Sequence, residues 1–127
     1  MVRLTVLIAL ISCLAVPLAA QEFRASNRVP VTGTSDTINV LGDGGFGARG
    51  IWCAAADYAL RVLRVPGNTR LYVREARRTP PFVFTLDAAG AASSSVLVLS
   101  SSLRQPGSNL SVNHALGFCA DAKLINR

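Results

Sequence analysis

Two cysteines, Cys53 and Cys119, constrain the fold of this chain more than any other feature of its sequence. The third, Cys13, lies in an apolar N-terminal segment that we expect to be removed, so one even pair remains. A bridge from residue 53 to residue 119 would close a 66-residue loop, and the chain-entropy account gives it about 4 kcal/mol of stabilisation. We therefore predict a disulfide in an oxidising compartment. A metal pair or a reactive cysteine is the weaker interpretation, because a metal needs more ligands and no C-x-x-C motif is present.

The first twenty residues show the three zones of a secretory signal peptide. Met1-Val2-Arg3 is short and positive, Leu4 to Val16 is almost purely apolar, and Leu18-Ala19-Ala20 ends in small residues. We predict cleavage after Ala20 and a periplasmic or secreted mature protein.

Two alternatives to this cleavage fit less well. An uncleaved membrane anchor would need ~20 apolar residues, and the run here has 13. A lipoprotein cut before Cys13 would place the apolar Leu14-Ala15-Val16 where a polar tether belongs. We expect no transmembrane segment in the mature chain.

Removal of residues 1–20 leaves 107 of the 127 residues, enough for one hydrophobic core. We expect residues 21–36 to form a loose arm and residues 37–127 a single small domain. Loss of Arg3 lowers the net charge from +6 to +5. A basic exported protein suggests an anionic cell-envelope component as a neighbour, although solubility and a bias towards arginine explain the same balance.

Hydrophobic periodicity predicts one principal helix and several strands. Apolar residues recur every four positions from Ile51 to about Arg64, and Pro66 ends the pattern. The strands are predicted at 37–41, 69–76, 82–86, 96–99 and 110–113, with a short helix after the last. The C-terminal stretch is ambiguous between strand and helix. Together these elements indicate an α+β fold, in which one main helix packs on a small, mainly antiparallel sheet.

A glycine-rich segment, residues 42–50, lies between a predicted strand and the predicted helix. Its candidate site residues are Gly42, Gly44, Gly45, Gly47 and Arg49. The glycine spacing is typical of a dinucleotide-binding turn. A dinucleotide-binding fold, however, needs repeated βαβ units, which the predicted elements do not include. A more limited hypothesis is that backbone N–H groups of this segment and Arg49 form an anion site. The alternative, which we favour, is a flexible loop that lets Trp52 and Cys53 enter the core.

Arginines interleaved with an aromatic residue form a second candidate site. Its members are Arg70, Tyr72, Arg74, Arg77 and Arg78. Guanidinium groups bind planar anions through forked hydrogen bonds and stacking. The alternative is that these residues form a solvated sheet face with no binding role. We favour it because charged side chains are commonly exposed on such a face.

Catalytic residues are sparse. His114 is the only histidine, the acidic residues form no recognisable pair, and the serine runs resemble linkers. We predict no catalytic residue and no cofactor.

Three segments carry a resemblance: Trp52 to Tyr58, Thr69 to Tyr72, and Pro81 to Phe84, followed by a second cysteine near the C-terminus. In these the chain resembles a group of small, uncharacterised exported bacterial proteins. The resemblance implies a periplasmic location and transfers no catalytic residue.

Two hypotheses for function remain at this point. The first is a non-enzymatic periplasmic binding or interaction module, which would engage an anionic envelope component or another periplasmic protein through its arginines. The second is a small enzyme, or an anion- or nucleotide-binding domain, built on the loop at 42–50. We favour the first because acid–base residues are few.

Overall fold

The computed structural model describes residues 22–88, 94–95 and 99–121. The predicted signal peptide therefore lies outside the described residues, as do residues 96–98 of a predicted strand. The described elements are, in chain order, β1 (Phe23–Arg24), β2 (Pro30–Gly33), β3 (Thr37–Val40), α1 (Gly47–Arg61), β4 (Arg70–Val73), β5 (Phe82–Thr85), β6 (Ser94–Ser95), α2 (Leu99–Ser102), β7 (Ser108–Ser111), α3 (Val112–Leu116) and a 3₁₀ helix (Gly117–Cys119).

The strands form one sheet in the order β1-β2-β3-β5-β4-β7-β6. Every neighbouring pair from β1 to β7 is antiparallel, and β6 adds to β7 in parallel. The predicted α+β architecture, with one main helix on a mainly antiparallel sheet, is confirmed.

Alternation along the strands gives the sheet one buried face and one outward face. In β4, Leu71 and Val73 are buried, whereas Arg70 is exposed and Tyr72 is half-buried. Helix α1 covers the buried face with a run of small and aromatic side chains. Trp52 is fully buried and meets the Phe84 ring edge to face, with centroids 4.9 Å apart.

Helix α1 begins earlier and ends earlier than the predicted 51–64. It begins at Gly47, inside the segment predicted to be loop, so the loop at 42–50 is shorter than expected. It ends at Arg61, and Arg64, three residues later, adopts a left-handed φ of 55° that cannot continue a helix. The Val65 N–H, directly before Pro66, then donates to the Ala59 carbonyl at 3.2 Å and satisfies one of the last helix carbonyls.

The predicted disulfide is confirmed. Cys53 and Cys119 are bonded, with Cα atoms 5.0 Å apart, inside the usual range of about 4.4–6.8 Å. The bond joins the middle of α1 to the 3₁₀ helix that ends the described chain. Both cysteines are buried, so the bridge belongs to the core.

The prediction of a loose arm at residues 21–36 is wrong for the residues that the structure describes. Strand β2 pairs with both β1 and β3, and Val29 and Val31 are buried. The polar residues before them bond to α1: the Asp57 carboxylate accepts the Ser26 N–H at 2.7 Å, and the Asn27 amide donates to the Gly50 carbonyl at 2.9 Å. Asn27 is therefore buried and bonded to the helix, whereas Ser26 and Arg28 on either side of it are exposed.

The later elements follow the sequence prediction with shifted bounds. The C-terminal strand is Ser108–Ser111, and the expected short helix follows it as Val112–Leu116. Leu99, assigned above to a strand, is the first residue of α2, and the strand in this region is Ser94–Ser95. No helix among the described residues is long and apolar enough to cross a membrane.

Candidate functional site

The structure divides the predicted arginine patch between two places. Arg70, Tyr72 and Arg74 follow β4 on the outward face of the sheet, whereas Arg77 and Arg78 lie in the loop between β4 and β5. This loop turns towards the start of helix α1, and Arg77 and Arg78 line a cavity there.

The arginines of the outward face already have partners. Arg70 donates from Nε and Nη2 to the Asn109 side-chain oxygen, at 2.9 and 2.7 Å. These two donors are therefore already engaged by a neighbouring strand. Arg74 donates from Nη1 to the Thr37 hydroxyl at 2.8 Å. A cavity of about 170 Å³ beside it is lined by Asp36, Arg74, Thr85 and Asp87, which places two carboxylates next to this guanidinium.

The larger cavity, called the arginine cavity below, has a volume of about 370 Å³. Three separate parts of the chain line it: the start of α1 with the residue Asp43 before it, the β4–β5 loop running into β5, and α2 with the two residues after it. The lining residues are Asp43, Gly47, Ala48, Ile51, Arg77, Arg78, Phe82, Ser100, Leu103 and Arg104. The cavity thus joins part of the predicted glycine-loop site to part of the predicted arginine site.

Arg104 is a site residue that the sequence prediction missed. It lies 26 positions after Arg78 in the chain, in a turn that shows no periodic pattern. The Arg77 N–H donates to the Leu103 carbonyl at 3.4 Å, and this contact brings the two basic segments to one side of the cavity.

The three guanidinium groups of the arginine cavity differ in their pairing. Arg77 lies 3.6 Å from the Glu75 carboxylate and donates from Nε to the Thr79 carbonyl at 3.4 Å. Arg78 and Arg104 are exposed at the rim and form no side-chain hydrogen bond or ion pair within the described part of the chain. Two forked donors are therefore free to bind an added anion.

The glycine segment owes its shape to close packing and to turns. Gly44, Gly45 and Gly47 have φ values of 65°, 86° and 58°, in the left-handed region that favours glycine. Gly50 lies so close to the Asp43 carbonyl that a Cβ atom there would overlap it. The Asp43 carboxylate in turn accepts the Gly45 N–H at 2.8 Å. These contacts hold Asp43 at the edge of the arginine cavity.

Arg49, the cation of the predicted loop site, contacts the C-terminal part of the described chain. Its Nε is 2.6 Å from an Asp121 oxygen, and its guanidinium stacks on the Phe118 ring at 4.9 Å. The hydrogen bond to Asp121, and then the charge of that carboxylate, raise the pKa of Arg49 above its ordinary value. Arg49 helps to fasten the C-terminal helices to α1 and does not line the arginine cavity.

Groups suited to holding a metal ion do not come together in the described part of the chain. No cluster of three histidine, cysteine or carboxylate side chains lies there. His114 is exposed on α3, against the Phe118 ring at 5.7 Å, and is not part of the cavity lining.

Comparison of the chain with protein-family models, with curated proteins and with solved structures finds no match. The resemblance to small exported bacterial proteins therefore stays a prediction from the sequence, and the function has to be argued from the cavity itself.

Proposed function

We propose that the mature domain is a non-enzymatic binding module, periplasmic or secreted, that holds an anionic partner in the arginine cavity. The observation that carries this proposal is the convergence of Arg77, Arg78 and Arg104 on one concavity of about 370 Å³. The free guanidinium forks at its rim match the geometry of a carboxylate or a phosphate.

Charge at the cavity supports an anionic partner. Three guanidinium groups line it together with one carboxylate, Asp43. Glu75 offsets part of the charge of Arg77 from outside the lining, so Arg78 and Arg104 face Asp43 alone and the cavity keeps a net positive charge. Like charges held close together repel one another, and a bound anion would relieve that repulsion while gaining charge-assisted hydrogen bonds.

The outward sheet face is the weaker candidate for the anion site, although the sequence analysis included Arg70, Tyr72 and Arg74 in that site. Arg70 donates from Nε and Nη2 to Asn109, and Arg74 donates from Nη1 to Thr37. An anion bound there would have to break these contacts or share them, and Asp36 and Asp87 would repel it beside Arg74.

A binding role is favoured over catalysis because of the chemistry of the lining. Asp43 is the one carboxylate of the lining, which includes no histidine, and it already accepts a backbone N–H. General acid–base or nucleophilic catalysis usually needs a second positioned group, such as a histidine or an activated nucleophile.

The experiment compares two double variants of the mature protein that lose equal charge. R78A/R104A removes the free arginines of the cavity, and R70A/R74A removes the paired arginines of the sheet face. Binding to octanoate, polygalacturonate and phosphatidylglycerol vesicles is measured by calorimetry at two salt concentrations.

We expect R78A/R104A to weaken binding of at least one of these probes by about tenfold or more, and R70A/R74A to change it by less than about threefold. Added salt should weaken wild-type binding, because the attraction is electrostatic. Equal weakening by both variants would show that net charge alone governs binding, and binding of none of the probes would overturn the proposal.

A further inference from the structure

The apolar part of the arginine cavity carries information about the ligand. Ile51, Phe82 and Leu103 belong to its lining, and each is at most 9% exposed. They come from α1, β5 and the segment after α2, so the cavity reaches down to the hydrophobic core. Apolar side chains beside a few placed polar groups are typical of sites for small organic ligands.

From this lining we infer that the ligand is a small amphipathic monoanion: an organic acid with one carboxylate or phosphate head and an apolar body. This inference rests on the proposed function. The head would bind to Arg78 and Arg104 at the rim, where both guanidinium forks are free, and the body would lie on Ile51, Phe82 and Leu103.

Size and charge restrict the ligand further. A volume of about 370 Å³ falls in the range of about 300–1,000 Å³ that small-molecule sites occupy. Asp43 lies in the same lining, so a second anionic group on the ligand would face a carboxylate. A single head therefore fits better than a dianion or a chain of regularly spaced charges.

A homologous series of acids tests the apolar body directly. Acetate, butanoate, hexanoate and octanoate are titrated into the ¹⁵N-labelled mature protein and followed by NMR. Each methylene that enters the cavity should raise the affinity by up to about fourfold, the ratio that full burial of one CH₂ gives. Added salt should weaken every acid but leave the ratio between successive acids unchanged, because burial of apolar surface is not screened.

Matched variants locate the binding of the body. S100F introduces a ring at an exposed serine of the cavity lining, and S35F introduces one at an exposed serine outside it. S100F should reduce the ratio of octanoate to acetate affinity at least tenfold, and S35F should leave this ratio unchanged. A48F, at a second lining position on α1, repeats the test from the opposite wall.

The outcomes separate this inference from the proposed function. Affinity that depends on Arg78 and Arg104 but not on chain length would overturn the amphipathic ligand and leave anion binding intact. Tighter binding of polygalacturonate than of octanoate, per carboxylate, would do the same and identify a polymer. Loss of arginine dependence for every probe would overturn both.

Discussion

Removal of the disulfide should lower the stability of the domain more than any other small change. The perturbation is the double variant C53A/C119A of the mature protein, which removes both sulfur atoms and leaves no unpaired thiol. Both residues are buried in the contact between α1 and the 3₁₀ helix. The bridge restrains the segment from residue 53 to residue 119, which contains most of the sheet.

The magnitude follows from the length of this loop. With a sequence separation of 66 residues, the chain-entropy relation gives about 4 kcal/mol at 25 °C. Unfolding entropies near 2.1 cal/mol/K per residue convert this loss into a fall in Tm of roughly 15–20 °C for a domain of about 107 residues. Since typical domains are stable by only ~5–15 kcal/mol, the variant should be partly unfolded at 37 °C.

Thermal unfolding followed by circular dichroism, with and without a reductant, measures the effect. Wild type in reductant should approach the Tm of C53A/C119A, and the variant itself should not respond to reductant. A difference in Tm below about 5 °C between oxidised wild type and the variant would refute the loop-entropy argument.

The remaining predictions concern individual contacts. G50A should lower the stability by more than about 1 kcal/mol, because its Cβ would overlap the Asp43 carbonyl, whereas G42A, which meets no atom within 4 Å, should stay within about 0.5 kcal/mol by urea unfolding. S102A should cost about 1–3 kcal/mol in the same assay, since it leaves the buried Trp52 N–H, now 3.0 Å from the Ser102 hydroxyl, without an acceptor; a neutral result would show that another group replaces it. Intact-mass analysis of the exported protein should show a chain that begins at Gln21 and is lighter than its reduced form by two hydrogens, and a start at Cys13 would contradict the predicted cleavage.

Hydrophobic periodicity predicted the elements in which buried residues recur at a regular spacing. Helix α1 has a small-residue stripe at helical spacing, and β4 alternates between core and solvent, so both were predicted close to their observed positions. The same reasoning missed β1 and β2, because both strands are short and their few apolar residues stand among polar ones. One of these polar residues, Asn27, is buried and bonds to the Gly50 carbonyl of α1. Local composition does not distinguish a polar side chain that is paired across 23 positions, as Asn27 is, from one that is solvated.

The candidate site was predictable only in parts. Arg77 and Arg78 were identified as basic residues in a loop, and Gly47 as part of a glycine turn, but nothing in the sequence joined them. Arg104 carried no signal, because a single arginine in a turn has the pattern of an ordinary surface residue. The cavity depends on contacts between residues far apart in the chain, which pattern reasoning does not supply.

Those long-range contacts also determine what binding would require of the protein. The indole N–H of Trp52 in α1 donates to Ser102 in α2, and the Arg77 backbone N–H donates to Leu103, so each wall of the arginine cavity is bonded to another. Asp43 is held against α1 at Gly50. Walls fixed in this way lose little conformational freedom when a ligand enters, so little of the interaction energy is spent on ordering the site. Only the long side chains of Arg78 and Arg104 would need to be immobilised, and they are the groups that the proposed head engages.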